Sequence, residues 1–165
     1  MDTTTAGEER LQSDTRALLR MLTEGGTLAG LYGLAADELE ALYSVGLGQY
    51  NQARWDEAQK VFGQLVTLRH GEPRYLNALA ATHQMRGEHA KAVHYYGLSQ
   101  LLAPKDPAPT FHTAHSLLAL GLVDDAVEAL QIDLRQCDGD TGKAALAQRA
   151  QALLDLVSSR VAAAA

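Results

Sequence analysis

The sequence predicts an all-α fold, with tandem helical hairpins stacked into a concave solenoid and a further helix at each end. Three observations carry that expectation. The 165 residues are 47% hydrophobic, hold only 4 prolines and are rich in Ala, Leu, Gln and Glu. Such a composition favours helices and is too apolar for a disordered chain. An alanine recurs at a spacing of 34 residues, as Ala58, Ala92 and Ala126, within the segments 53–65, 87–99 and 121–133. One helical turn after each alanine stands a large side chain: Phe62, Tyr96 or Leu130. Antiparallel helices approach to about 8–10 Å only where one offers a small residue. The bulky group one turn later fills the space beside that gap.

A helix–turn–helix unit of this length resembles the tetratricopeptide repeat. Three repeats are expected, at 39–72, 73–106 and 107–140. The packing positions of their first helices are Leu42 and Gly46, Leu76 and Ala80, and Thr110 and Ala114. Asp37 with Glu40 reads as a capping box. Pro73 and Pro107 suit the first turn of the helices they open. Pro104 closes the second repeat, and His70 and Asp138 stand at that place in the others. Gly87 and Gly121 precede two of the periodic alanines, with Ala53 at the matching place in the first repeat.

Residues 37–140 thus form the repeat domain. Residues 1–36 supply an N-terminal helix over 8–24 and an apolar linker, with Leu11, Leu18, Met21 and Leu22 on one side of the helix. Residues 141–165 supply a capping helix over 142–161, carrying Leu146, Ala150, Leu153, Leu154 and Val157, and a frayed Ala tail.

The search for chemistry is negative. A net charge of −6, with no basic run, opposes nucleic-acid binding. The polar, acidic N-terminus lacks the pattern of a secretory signal, and no apolar run is long enough to enter a membrane. A cytoplasmic protein is expected. The lone Cys137 fits a reducing compartment and reads as inert. His112 and His115 share a helix face but are two ligands short of a zinc site. The stretch CDGDTGKAAL, 137–146, resembles a phosphate loop but has Cys137 where the first glycine is required. Asp124 and Asp125 suit a helix start. No catalytic residue, metal or cofactor is nominated, and a non-enzymatic binding protein is expected.

The first helix of each repeat lines the hollow of such a solenoid. The residues expected to face it form a peptide-binding groove: Tyr43, Leu47, Tyr50 and Asn51, then Arg74, Asn77, Ala81 and Gln84, then Phe111, His115 and Leu118. Tyr43, Tyr50 and Phe111 are its expected apolar walls, with core packing the alternative for each. Aromatic and aliphatic walls with one Arg suit an extended peptide carrying apolar anchors.

An ordered set of motifs narrows the reading. Gly25-Gly26-Thr27 precedes a short apolar segment, followed by Leu42-Tyr43-Ser44, Ala58 to Phe62, Glu72-Pro73-Arg74-Tyr75, Phe111-His112 and Leu117-Leu118. Over about residues 20–140 this order resembles the class II chaperones of type III secretion systems, the LcrH/SycD-like family. The resemblance implies a cytoplasmic bacterial chaperone. It would hold hydrophobic translocator proteins through an extended segment in the groove, preventing premature association and degradation. It also implies a homodimer built through N-terminal helical regions and, as in some members, a transcriptional regulator as a further partner. Leu18, Leu22, Leu28 and Leu31 are the dimerisation candidates. Residues 25–34 are expected to fold back and bury their leucines against a second subunit or within one chain. The competing reading is a general tetratricopeptide scaffold in secretion or pilus assembly.

Overall fold

The computed structural model describes residues 12–16 and 26–164, the side chain of Ala164 excepted. A helical stretch covers 12–16. Then follow α1 (Leu28–Leu31), α2 (Ala36–Asn51), α3 (Trp55–Leu68), α4 (Pro73–Met85), α5 (His89–Leu102), α6 (Ala108–Ala119), α7 (Val123–Cys137), a 3-10 turn (Thr141–Lys143) and α8 (Ala144–Ala164). Each helix from α2 onward packs on the next, so α2/α3, α4/α5 and α6/α7 form three successive hairpins and α8 covers the last. The expected N-terminal helix over 8–24 falls mostly outside the described residues, as do Leu18 and Leu22.

The period in the sequence is the period of the helices. Their second members start at Trp55, His89 and Val123, each 34 residues after the last. Ala58, Ala92 and Ala126 are fully buried at the crossings. Phe62, Tyr96 and Leu130 fill the space one turn on. Gly46 is buried in the facing helix, where a Cβ would stand 2.5 Å from the Phe62 ring. The α2/α3 crossing is therefore as tight as this aromatic ring allows.

The three hairpin turns share one conformation. Ala53, Gly87 and Gly121 are all left-handed, with φ of 57°, 74° and 77°. In each turn the next residue's amide donates to a carbonyl five residues back: Arg54 to Gln49, Glu88 to His83 and Leu122 to Leu117, at 3.0, 2.9 and 3.0 Å. That is the Schellman closure, which glycine adopts without steric cost.

Helix starts depart from expectation in three places. α2 begins at Ala36 and is capped by Glu38, whose carboxylate accepts from the Ala35 amide at 2.8 Å. The expected Asp37–Glu40 box does not form, because Glu40 is turned toward Arg74. Pro73 is the first residue of α4 as expected, whereas Pro107 sits one position before α6. α8 starts at 144 and continues through the Ala tail to Ala164.

The apolar linker is an ordered turn. The Thr27 hydroxyl accepts from the Gly30 amide at 3.1 Å and caps α1. Ala29 is buried in the core of the first hairpin with Leu39, Phe62, Leu65 and Tyr75, and Leu34 packs against that cluster. Packing within the chain thus accounts for Ala29 and Leu34, while Leu31 and Tyr32 remain 48% and 69% exposed. A second core, around Phe111, Ala114, Ala126 and Leu130, extends to Ala150 of α8. Among the described residues no helix is long and apolar enough to cross a membrane.

Candidate peptide-binding groove

The first helices of the three hairpins, α2, α4 and α6, together wall a cavity of about 320 Å³. Its lining comprises Tyr43, Leu47 and Tyr50 from α2, Arg74, Asn77, Ala78 and Ala81 from α4, and Ala108, Pro109 and His112 from α6. Phe62 and Tyr96 reach it from the second helices and form its floor. Concave, largely apolar sites with a few placed polar groups are the usual form of a ligand-binding surface.

Each aromatic wall is held from behind. The Tyr43 ring lies 5.7 Å from Phe62 and 5.6 Å from Tyr75, with the Arg74 guanidinium 5.1 Å above it. Tyr50 meets Trp55 edge-on at 5.0 Å. The Tyr96 ring stacks on His112 at 5.5 Å, and its hydroxyl donates to Gln84 Oε1 at 3.2 Å. Burial pushes the Tyr43, Tyr50 and Tyr96 hydroxyls above the ordinary tyrosine range, with Arg74 pulling Tyr43 the other way. All three stay protonated near neutral pH and keep a proton to donate. Arg74 is paired at 2.9 Å with Glu40, one repeat back, and lies 3.6 Å from Glu72. Asn77 Oδ1 is buried without a hydrogen-bond partner among the described residues, an acceptor on a cavity-lining side chain.

Of the expected groove residues, Tyr43, Leu47, Tyr50, Arg74, Asn77 and Ala81 line the cavity together. Five do not. Asn51 is exposed at the end of α2. Gln84 is engaged between helices, accepting from Tyr96 and donating to the His112 carbonyl at 3.3 Å. Leu118 packs against the second core. Phe111, expected as an apolar wall, is 2% exposed and belongs to that core. His115 is exposed and stands edge-on to the Phe111 ring at 4.8 Å.

For Phe111, His115 and Leu118 the common cause is the rotation of α6. It shows the cavity Ala108, Pro109 and His112, and it turns Phe111 toward α8, where the Arg149 guanidinium covers the ring at 4.8 Å. The inward-facing Phe62, Tyr96 and His112 were missed as lining residues. Phe62 and Tyr96 carry the sequence signal of packing residues and serve as core and floor at once. His112 stood next to the expected Phe111 but one residue around the helix.

The histidines form no metal centre with their neighbours: among the described residues no group of three or more His, Cys, Asp or Glu is placed to hold an ion. Burial lowers the pKa of His112, the cover of the Phe111 ring on the otherwise exposed His115 lowers that one too, and Arg149 adds to both shifts.

Comparison with known proteins agrees with this architecture. Residues 74–106 match the family model described as tetratricopeptide repeat. The low calcium response locus protein H of Yersinia pestis is 31% identical over 141 residues, covering 86% of this chain and 84% of that protein. The type III secretion translocator chaperone SycD of Yersinia enterocolitica superposes with a TM-score of 0.76 at 30% identity, over 79% of this chain and 98% of SycD. SycD has also been crystallised as an alternative dimer. PcrH of Pseudomonas aeruginosa, in complex with the chaperone binding region of PopD, superposes with a TM-score of 0.75 at 36% identity, over 78% of this chain and 96% of PcrH. With three helical hairpins, an aromatic groove across their first helices and relatives matched over most of both chains, the protein belongs to the LcrH/SycD-like family of class II type III secretion chaperones.

Proposed function

We propose that this protein acts in the bacterial cytoplasm as a chaperone of type III secretion translocators, holding an extended hydrophobic segment in the α2/α4/α6 groove until export. One observation carries the reading: an apolar surface crosses three helices, walled by Tyr43, Leu47, Tyr50, Ala81 and Pro109 over a floor of Phe62 and Tyr96. The complex of PcrH with a PopD region supports the kind of occupant. Three apolar anchors would contribute roughly 5–9 kcal/mol of burial, against about 2–5 kcal/mol for ordering the segment. The net is weak to moderate, which suits a partner that must be released. No turnover chemistry is required of any residue.

The test is titration of the synthetic chaperone binding region of PopD into the purified protein. Tyr43→Ala and Tyr50→Ala are each expected to weaken binding about tenfold, as loss of a central aromatic anchor does. Unchanged affinity in both variants, with helicity retained, overturns the groove assignment. A homodimer formed through α1 and the residues before it, and pairing with a transcriptional regulator, belong to the same proposal. The regulator rests on the family resemblance alone. Its check is co-purification with regulators encoded beside the secretion genes.

A further inference from the structure

We infer that the α8 end of the groove, where His112, His115 and Arg149 gather around Phe111, takes a carboxylate side chain of the bound segment, an Asp or Glu lying beyond its apolar anchors. This rests on the proposed chaperone reading and adds a second, charged determinant to it.

The cluster has three members on two helices. Arg149 reaches from α8 to stack over Phe111 at 4.8 Å, and His115 meets the same ring at 4.8 Å. His112, next in sequence to Phe111, lines the apolar cavity itself. The 5.6 Å contact between the His112 and Phe111 rings joins the cluster to the cavity edge, with Phe111, His115 and Arg149 lying just outside the lining. The contrast with Arg74 is instructive. Arg74 is neutralised by Glu40 and flanked by Glu72. Arg149 has no ion pair among the described residues. The acid that acts on His112 is Asp106, whose carboxylate already caps α6 by accepting from the Ala108 amide at 3.0 Å. In a chain with a net charge of −6, an arginine held by an aromatic face and left without a counter-ion at a groove end is an open anion position.

The surroundings define how such a site responds to pH. His112 faces Tyr96 of α5 and feels His115, Arg149 and Asp106, while His115 feels Arg149. Burial and the neighbouring guanidinium keep both imidazoles neutral near pH 7. An arriving carboxylate favours their protonated forms, so binding takes up protons and tightens as pH falls below neutrality.

The probe is the synthetic chaperone binding region of PopD, made as a set in which one position at a time carries Asp or, in the control, Asn. At one or two adjacent positions the Asp peptide is expected to bind at least fivefold more tightly than its Asn partner. That preference should shrink in high salt and grow from pH 7 toward pH 6. It should vanish in Arg149→Gln and partly persist in Arg149→Lys. An Asp/Asn ratio near one at every position, or a preference that survives Arg149→Gln, overturns the inference. If the parent peptide fails to bind a helical protein, the chaperone reading of the groove fails instead. NMR titration of His112 and His115 with N-acetyl-aspartyl amide against N-acetyl-asparaginyl amide then decides the anion site alone. An upward shift of the histidine pKa only with the carboxylate compound, absent in Arg149→Gln, supports it, and equal behaviour of the two compounds refutes it.

Discussion

Ala53 holds a conformation that L side chains resist. Its φ of 57° is left-handed, and the same turn one and two repeats later uses Gly87 and Gly121. A non-glycine residue there costs roughly 1–2 kcal/mol. Ala53→Gly is therefore expected to stabilise the fold by about 1 kcal/mol, part of the gain being offset by the freer unfolded chain. Urea unfolding reads this directly as a higher midpoint at constant slope.

Asp133 is the opposite kind of exception. It is fully buried, neither carboxylate oxygen has a hydrogen-bond partner among the described residues, and burial raises its pKa from 3.8 to about 6. One repeat earlier the position holds Ser99, whose hydroxyl donates to the Pro73 carbonyl at 3.4 Å. Because the folded pKa lies above the unfolded one, folding favours the protonated carboxyl. Stability is then highest below about pH 4 from this group and declines as pH rises toward 6, by on the order of 3 kcal/mol. Asp133→Ser should remove that slope and stabilise the protein at pH 7. Equal pH profiles for the two proteins, measured by urea unfolding, would refute the assignment.

At the scale of elements, the sequence was most readable where packing demands a particular side-chain size. Ala58, Ala92, Ala126 and Gly46 are dictated by how closely two helices meet, and each sits where the 34-residue period places it. What was illegible was rotation. A helix turned by one residue moves its inward stripe by about 100°, a difference no composition records. α6 shows this: the stripe of Phe111, His115 and Leu118 expected in the groove gave way to Pro109 and His112, because α8 covers Phe111. The consequence is measurable. Phe111→Ala should cost about 3–5 kcal/mol of stability as a core truncation. Under conditions where the variant stays folded, its affinity for a PopD-region peptide with its acidic residues replaced by amides should be little changed. A stable variant with lost affinity would return Phe111 to the groove wall. The cap of α2 taught the same lesson on a smaller scale, since a carboxylate one turn into a helix can serve the cap, as Glu38 does, or a neighbouring repeat, as Glu40 does.

At the scale of the whole molecule, neighbouring hairpins are joined by pairs such as Arg74–Glu40 and Arg86–Asp56, so each hairpin leans on the next. Glu88, bonded first to His83 and then to Lys91 and Arg86, has its pKa lowered to about 2. Its contribution is present above the ordinary glutamate range and fades as pH falls toward 2. Among the described residues α8 covers the C-terminal end and α1 lies at the N-terminal one. Leu31 and Tyr32 are exposed there beside the core that Ala29 enters. If a second subunit docks through this end, Leu31→Asp with Tyr32→Asp should halve the mass seen by light scattering without loss of helicity. An unchanged mass removes α1 from the interface.

The shared turn geometry of the three hairpins makes the protein a set of interchangeable units. Residues 89–122 run from the start of one second helix to the residue before the next. A tandem copy of that stretch could be spliced in without meeting a foreign joint. The trough would grow by one helix width while both ends kept their present chemistry. Evolution, or an engineer, could thus lengthen the cargo this protein accommodates by copying what is already there.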